Sequence, residues 1–451
     1  MTAASDRGET SSAASRTPVG PVGKIHPQPW MTSPQTRLVL DALRAGGHEV
    51  RFIGGCVRDA VLKRHIRDID IALPATPQAV TALLRAAGIR VVPTGIDHGT
   101  VTAVVGATPF EITSLRIDVE TFGRHARVAY TDDWLADAAR RDFTINAMSC
   151  SPDGDIYDYF RGLDDLGQGR VRFVGDPAAR IAEDVLRLLR FFRFYAHYGR
   201  EPPDAAALAA CRAAAAGLCT LSGKRVRVEI FRTLMANDPA DAFALMRDGE
   251  VLDHVLPEAG GVERLRMLSW LDSKALRLHS VAPDPVRRLA ALLAPSAETA
   301  EAEAIAARLR LSNAQALRLR CMLAPAALLR PEGDAADLRR ALYHLGAEAV
   351  RDRLLLAWAG ELAAAPAVRG RNGGWVERLG LVDAWEPPRF PLRGRDALAI
   401  GVARGPEIGR LLDAVESWWE ENDFAPDHAA CLATLRQLAG GDGGEGGAAA
   451  C

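Results

Sequence analysis

The chain has 451 residues, 48% hydrophobic and 25% charged, with a formal net charge of −2. That is length enough for two or three cores, and the balance of charge is too close to neutral to name a partner. The seven cysteines (56, 150, 211, 219, 321, 431 and 451) form no CxxC pair and no metal-ligand spacing, and no run of about 18 apolar residues occurs. Reduced thiols in a cytoplasmic protein without a membrane span are therefore expected. Lys24, Lys63, Lys224 and Lys274 are the only lysines. Arginine is the better fork for phosphate, although a bias of the sequence toward Arg and Ala explains the excess as well.

Residues 1–23, rich in Ser, Thr, Ala, Gly and Pro, read as a disordered leader. An amphipathic pattern over 34–45 predicts a helix stopped by Gly46-Gly47. Residues 50–53 read as a strand, Gly54-Gly55 as a turn, 57–64 as a helix and 68–73 as a strand. Thr76 and Pro77 mark a helix start, closed by Gly88. Two further strands are predicted over 101–105 and 109–115, about a turn at Gly106.

The stretch 52–77, FIGGCVRDAVLKRHIRDIDIALPATP, carries chemistry. Strand alternation puts Asp68 and Asp70 on one face and turns Ile69 and Ile71 into the core. Two carboxylates ~7 Å apart along a strand suit a hard divalent cation holding substrate phosphates. Gly54 and Gly55 let backbone approach a phosphate, and Arg58 can neutralise it. Glu111, between Phe110 and Ile112, falls on the polar face of its strand, either as a third carboxylate or as a plain exposed Glu. Residues 116–139 are rich in Arg and Asp and poorly periodic, and RRDFTINAM follows at 140–148. A hairpin and a further strand are predicted over 153–174.

Asp176-Pro177 starts a helix that Gly199 ends. Ile181, Val185, Leu188, Leu189, Phe192 and Ala196 fall on one arc of it. Asp184, Arg187, Arg190 and Arg193 recur in steps of three on the other side, with Phe191 and Phe194 between them. Two Phe on that side suit a cleft wall or packing against a second element better than open surface; a helix laced by i,i+3 salt bridges is the plainer alternative.

The stretches 52–77, 140–148 and 179–199, in this order, resemble the class II nucleotidyltransferases: tRNA CCA-adding enzymes and bacterial poly(A) polymerases. The resemblance covers about residues 50–258. It implies Mg²⁺-dependent two-metal transfer from CTP and ATP to an RNA 3′-hydroxyl, with Asp68 and Asp70 as metal ligands and Glu111 as a third catalytic carboxylate. It places Gly55, Arg58 and Arg141 on the triphosphate. It assigns base reading to Asp184 and Arg187, supported by Arg190 and Arg193. Cytosine and adenine each offer an amino donor beside a ring-nitrogen acceptor. A carboxylate and a guanidinium match that pair, and uracil and guanine are rejected because buried polar groups would go unpaired. The family often carries Asp-Gly-Arg in a mobile loop where this chain reads Phe122-Gly123-Arg124, and an acid where Lys224 stands in the neck-like segment 221–234. GIDHGTVTAVV, residues 95–105, looks more like the tRNA enzymes than the poly(A) polymerases.

The expected fold is an α+β head, a mixed sheet with flanking helices, over residues 24–175. An all-helical neck follows over 176–258 and a helical body and tail over 259–440, with a Gly-rich tail at 441–451. Arg-studded helices beyond 260 are expected to meet tRNA phosphates. No His-Asp dipeptide, P-loop or HExxH occurs. CCA addition to the tRNA 3′ end is the favoured activity, with no obligate protein partner evident. A poly(A) polymerase, or an enzyme adding only CC or only A, is the alternative, and a catalytically inert RNA-binding protein or a small-molecule nucleotidyltransferase is more distant.

Overall fold

The computed structural model describes residues 20–92, 95, 99–122, 125–276, 281–294, 299–324, 330–364 and 372–441. The chain divides into two compact units, Met1–Leu221 with Asp248–His254, and Ser222–Arg247 with Val255–Cys451.

In the first unit the strands are β1 (Gly23–Lys24), β2 (Arg51–Ile53), β3 (Ile69–Leu73), β4 (Arg90–Val92), β5 (Thr100–Val105), β6 (Thr108–Ser114), β7 (Arg116–Phe122), β8 (His125–Tyr130), β9 (Ser149–Cys150) and β10 (Asp155–Tyr157). Among the described residues, eight of them form one sheet in the order β1-β10-β9-β2-β3-β6-β5-β4, and β7 and β8 pair separately. β3 and β6 run parallel, with Asp70 opposite Glu111 and Ile71 opposite Ile112; every other pairing in the sheet is antiparallel. Ile69, Ile71, Phe110 and Ile112 are buried, so the alternation in both strands drives apolar side chains to one face and carboxylates to the other.

Helices Pro34–Arg44 and Pro77–Ala86 pack on each other, and the second covers β4, β5 and β6. Ser33 and Thr76 cap them by accepting the N–H groups of Thr36 and Ala79, and each opens on a proline.

Several expectations are corrected. The helix predicted over 57–64 is Gly55–Val61, because Gly54 takes φ 68° and ψ −125° and turns the chain into helix at once. The strand predicted over 68–73 starts at Ile69, with Asp68 just outside it. Residues 116–139 are not aperiodic: β7 and β8 pair as a ribbon, and helix Trp134–Ala139 follows, capped by Asp133. Ile117 and Val119 alternate with Arg116, Asp118 and Glu120, the local pattern of a strand. Over 153–174 only one strand of a hairpin is found, β10, whose partner β9 lies before that range, and helix Gly162–Gln168 comes next. Its start is held by Asp158, which accepts the Gly162 and Leu163 N–H groups at 2.9 Å each. Phe173 makes only an isolated bridge to Phe143. Gly23, counted in the predicted leader, pairs with Ile156, and Lys24 pairs with Asp155. Residues 1–19, 96–98, 123–124 and 442–451 lie outside the described residues.

The helix predicted over 176–199 is two helices. Pro177–Glu183 stops at Asp184, whose φ −152° and ψ 108° are extended, and Leu186–Tyr198 begins after it. Phe191 and Phe194 are buried against Phe143, at centroid distances of 6.5 and 5.0 Å, so they are core residues rather than a cleft wall.

The second unit is helical among its described residues, as expected, from Gly223–Leu234 to His428–Gly441. It holds a buried ion pair. Arg288 donates to both oxygens of Asp272 at 3.0 and 2.6 Å, and to the carbonyls of Leu234 and Ala236 at 2.6 and 2.7 Å. The stretch Ala335–Ala364 is kinked at Gly346. Toward the end of the chain Leu392, Leu411, Val415, Trp419, Cys431 and Leu435 form a small core of their own. No described helix is long and apolar enough to cross a membrane.

Candidate active site

Sheet register brings the carboxylates together. Asp70 on β3 and Glu111 on β6 are direct neighbours, and Asp68 stands at the mouth of β3. Burial, then the negative charge of Glu111, pushes the Asp70 carboxyl up to about 6; Asp68 adds to the rise, while Arg141 and Arg58 oppose it. Three acids and two guanidiniums thus share one electrostatic environment. Gly54 lies at its floor: a Cβ there would stand 3.4 Å from Arg141 Nη1 and 4.0 Å from Asp70 Oδ2.

Arg58, on helix Gly55–Val61, is buried and held on every side. It donates to both carboxylate oxygens of Asp59 at 3.1 and 2.8 Å and to Asn146 Oδ1 at 2.5 Å. Its guanidinium lies 4.2 Å from the centre of the Tyr198 ring, and Tyr198 in turn donates to Asp59 Oδ1 at 2.8 Å. A Cβ on Gly55 would meet Arg58 Nη2 at 3.6 Å.

Arg141 pairs with Asp137 through Nε at 3.3 Å and Nη2 at 3.0 Å, and its Nη1 donates to the Asn146 carbonyl at 3.4 Å. Its neighbour Asp142 is engaged differently. Asp142 accepts from Arg190 Nε at 2.7 Å, Asn146 Nδ2 at 3.2 Å and the Phe143 N–H at 2.9 Å. Burial alone would raise its carboxyl, but the Arg190 charge and these hydrogen bonds outweigh burial and hold it below the usual carboxylate range.

The four polar residues predicted on one continuous helix face are split by the break. Asp184 sits at the break, where its Oδ1 accepts the Leu186 N–H at 3.1 Å and its carbonyl accepts the Arg187 N–H at 2.9 Å. Arg187 pairs with Glu183 and donates to the Arg180 carbonyl at 3.0 Å. Arg190 reaches back to the RRD segment through Asp142. Arg193 is buried, 4.5 Å from the centre of the Phe194 ring.

Asp59, Asp137, Asn146, Glu183 and Tyr198 were not singled out from the sequence. For Asp137 a signal was there: it lies three and four residues before Arg140 and Arg141, the spacing of ion pairs on a helix. For Tyr198, which meets Asp59 across 139 positions, there was none.

A family profile described as Poly A polymerase head domain matches residues 50–172, and one described as Probable RNA and SrmB-binding site of polymerase A matches 203–260. The chain is 34% identical to CCA tRNA nucleotidyltransferase 1, mitochondrial, of Danio rerio over 86% of its own length and 87% of the relative's. It therefore belongs to the CCA tRNA nucleotidyltransferase family. A CCA-adding enzyme of Limosilactobacillus fermentum is 30% identical over 89% of this chain and 96% of that one. The crystal structure of the Bacillus stearothermophilus CCA-adding enzyme in complex with CTP superposes with a TM-score of 0.73 at 25% identity, covering 91% of this chain and 99% of that chain. This member of the family is a nucleotidyltransferase, with the expected α+β head and helical remainder.

Proposed function

We propose that this enzyme adds C, C and A in turn to the 3′ end of tRNA, using CTP and ATP and releasing pyrophosphate, without a nucleic-acid template. The observation that carries the reading is the meeting of Asp68, Glu111, Arg58 and Arg141 around the Asp70 carboxylate, with Gly54 beside Asp70 and Arg141. In each transfer the tRNA 3′-oxygen bonds to the α-phosphorus, the bond from that phosphorus to the bridging oxygen breaks, the hydroxyl proton leaves and pyrophosphate departs. The names of the relatives and the CTP in the Bacillus stearothermophilus structure support the substrates.

Magnesium fits this donor set. Asp68, Asp70 and Glu111 offer only hard oxygen ligands, and the Asp70 carboxyl is raised first by burial and then by the negative charge of Glu111. Among the described residues no three His, Cys, Asp or Glu side chains form a ready metal cage; a cation held by two carboxylates together with substrate phosphates needs none. Bound to Asp68 and Asp70, Mg²⁺ would acidify the attacking hydroxyl and neutralise charge on the phosphates. Glu111 beside Asp70 adds a third negative group to that face. Arg58 and Arg141 take the triphosphate, with Gly54 and Gly55 leaving room for it. Asp184 accepts the amino hydrogen of cytosine or adenine, Arg187 donates to the ring nitrogen, and Arg190 and Arg193 hold their helix in place. We keep the functional division into a head over 24–175, a neck over 176–258 and a tRNA-binding body and tail over 259–440; the two profile matches support the first two. We place the enzyme in the cytoplasm, a reading that fractionation of cells decides, since the Danio rerio relative is named mitochondrial.

The test is incorporation of labelled CTP and ATP, separately and together, on tRNA lacking CCA, on tRNA ending in CC and on oligo(A). Ordered addition of C, C and A that then stops, on the tRNAs alone, is expected. A long adenylate ladder on oligo(A) would make the enzyme a poly(A) polymerase, and addition of C alone or A alone would make it half of a divided pathway.

A further inference from the structure

Asp137 takes no part in the reaction described so far, yet it is only 2% exposed and flanked by two guanidiniums. Its Oδ1 accepts from Arg140 Nε at 2.9 Å and Nη2 at 2.6 Å, and its Oδ2 from Arg141 Nε at 3.3 Å and Nη2 at 3.0 Å. Oδ1 also accepts the N–H of Arg116, the first residue of β7, at 3.3 Å, and Arg140 Nε donates back to the Arg116 carbonyl at 3.0 Å. The carboxylate is therefore fixed from two directions, by its own helix and by the root of the β7–β8 ribbon.

Fixing the carboxylate fixes Arg141. A guanidinium is flat, so engaging its Nε–Nη2 edge decides where Nη1 points. Here Nη1 is directed to the Asn146 carbonyl at 3.4 Å, 3.4 Å from where a Cβ on Gly54 would stand. The same carboxylate offsets the charge that two adjacent arginines would otherwise bury together.

We propose that Asp137 is a positioning residue for nucleotide binding, holding Arg141 aimed over Gly54 at the incoming triphosphate. The inference rests on Arg141 being a triphosphate ligand. An arginine left to sample its rotamers must be ordered by each nucleotide, whereas one held by Asp137 is ordered before binding. The benefit falls only on ligands that carry the β- and γ-phosphates.

The test is titration of the full-length protein and three variants, Asp137→Asn, Asp137→Glu and Arg141→Ala, with CTP and with CMP, each variant first checked for a cooperative melt. Asp137→Asn is expected to weaken CTP about tenfold or more, as loss of a charge-assisted hydrogen bond predicts, and to leave CMP within about twofold of wild type on the same grounds. Asp137→Glu, which restores the charge, should recover part of the CTP affinity. A folded Asp137→Asn protein that binds CTP normally while Arg141→Ala does not would overturn the proposal and leave the Arg141 reading standing. Equal weakening of CTP and CMP would also overturn it, by making Asp137 a structural residue only. Normal CTP binding by Arg141→Ala would remove the reading on which the inference depends. Should Asp137→Asn fail to fold, Asp137→Asn with Arg140→Gln removes one positive charge along with the negative one and is read by the same criteria.

Discussion

Asp70, proposed as a metal ligand, also carries a cost to the fold. Its carboxyl is held up at about 6 by burial and by Glu111, so it ionises only as pH rises through that value. Incorporation at fixed Mg²⁺ should therefore fall as pH drops through about 6, and more Mg²⁺ should move the fall to lower pH, because cation and proton compete for the same oxygens. A rate profile from about pH 5 to 8 at two Mg²⁺ concentrations checks this; a midpoint that ignores Mg²⁺ would detach Asp70 from the metal. Stability runs the other way. A carboxyl raised in the fold contributes stability that is fully present below its unfolded value of 3.8 and is lost as pH rises through about 6. Asp70→Asn makes the neutral form permanent. It should abolish incorporation and yet stabilise the cation-free protein at neutral pH by at most about 3 kcal/mol, at roughly 1.36 kcal/mol per unit. Denaturant melts without divalent cations measure that gain, and a variant that keeps turnover would remove Asp70 from catalysis.

Among the elements, the break at Asp184 has the clearest consequence. A continuous helix would have used Asp184 as one of many surface acids. Instead its backbone is extended and its carboxylate caps the following helix through the Leu186 N–H. Asp184→Ala should cost about 1 kcal/mol of stability, as lost caps do. If Asp184 also reads the base, the same change should raise UTP and GTP misincorporation relative to CTP and ATP. Asp184→Asn supplies the control, since an amide oxygen can still cap the helix but its amino group can face a carbonyl acceptor. Misincorporation that rises in neither variant, measured by competition between nucleotides on one tRNA, would confine Asp184 to capping.

At the scale of the whole molecule, both compact units carry buried apolar cores. The residues proposed to react lie in the first unit, and the second contains a buried ion pair: Arg288 is 0% exposed and bonded to Asp272 and two backbone carbonyls. Asp272→Ala would leave a buried guanidinium without its counter-charge and should destabilise the second unit by about 3–5 kcal/mol. The outcome is read as an early transition in urea followed by two spectroscopic probes. A single unshifted transition would mean that the pair contributes nothing beyond packing.

That Asp70 and Glu111 fall on the polar faces of their strands was legible in the linear sequence because strand alternation is a local property. β3 and β6 obey it where Asp70 lies opposite Glu111 and Ile69, Ile71, Phe110 and Ile112 are buried, whereas Asp68, two residues before Asp70, falls just outside β3. Capped helices such as Pro34–Arg44 and Pro77–Ala86 were legible for the same reason, since cap and core stripe lie within a few residues of each other. Tertiary structure decided the rest. It paired β7 with β8 as a ribbon, broke the helix over 176–199 where its periodicity ran on, and turned Phe191 and Phe194 into the core against Phe143. Above all, it chose the partners of the arginines. A guanidinium accepts any nearby carboxylate or carbonyl, so the sequence could name Arg58, Arg141 and Arg190, but only the packed fold could assign them to Asp59 and Asn146, to Asp137, and to Asp142.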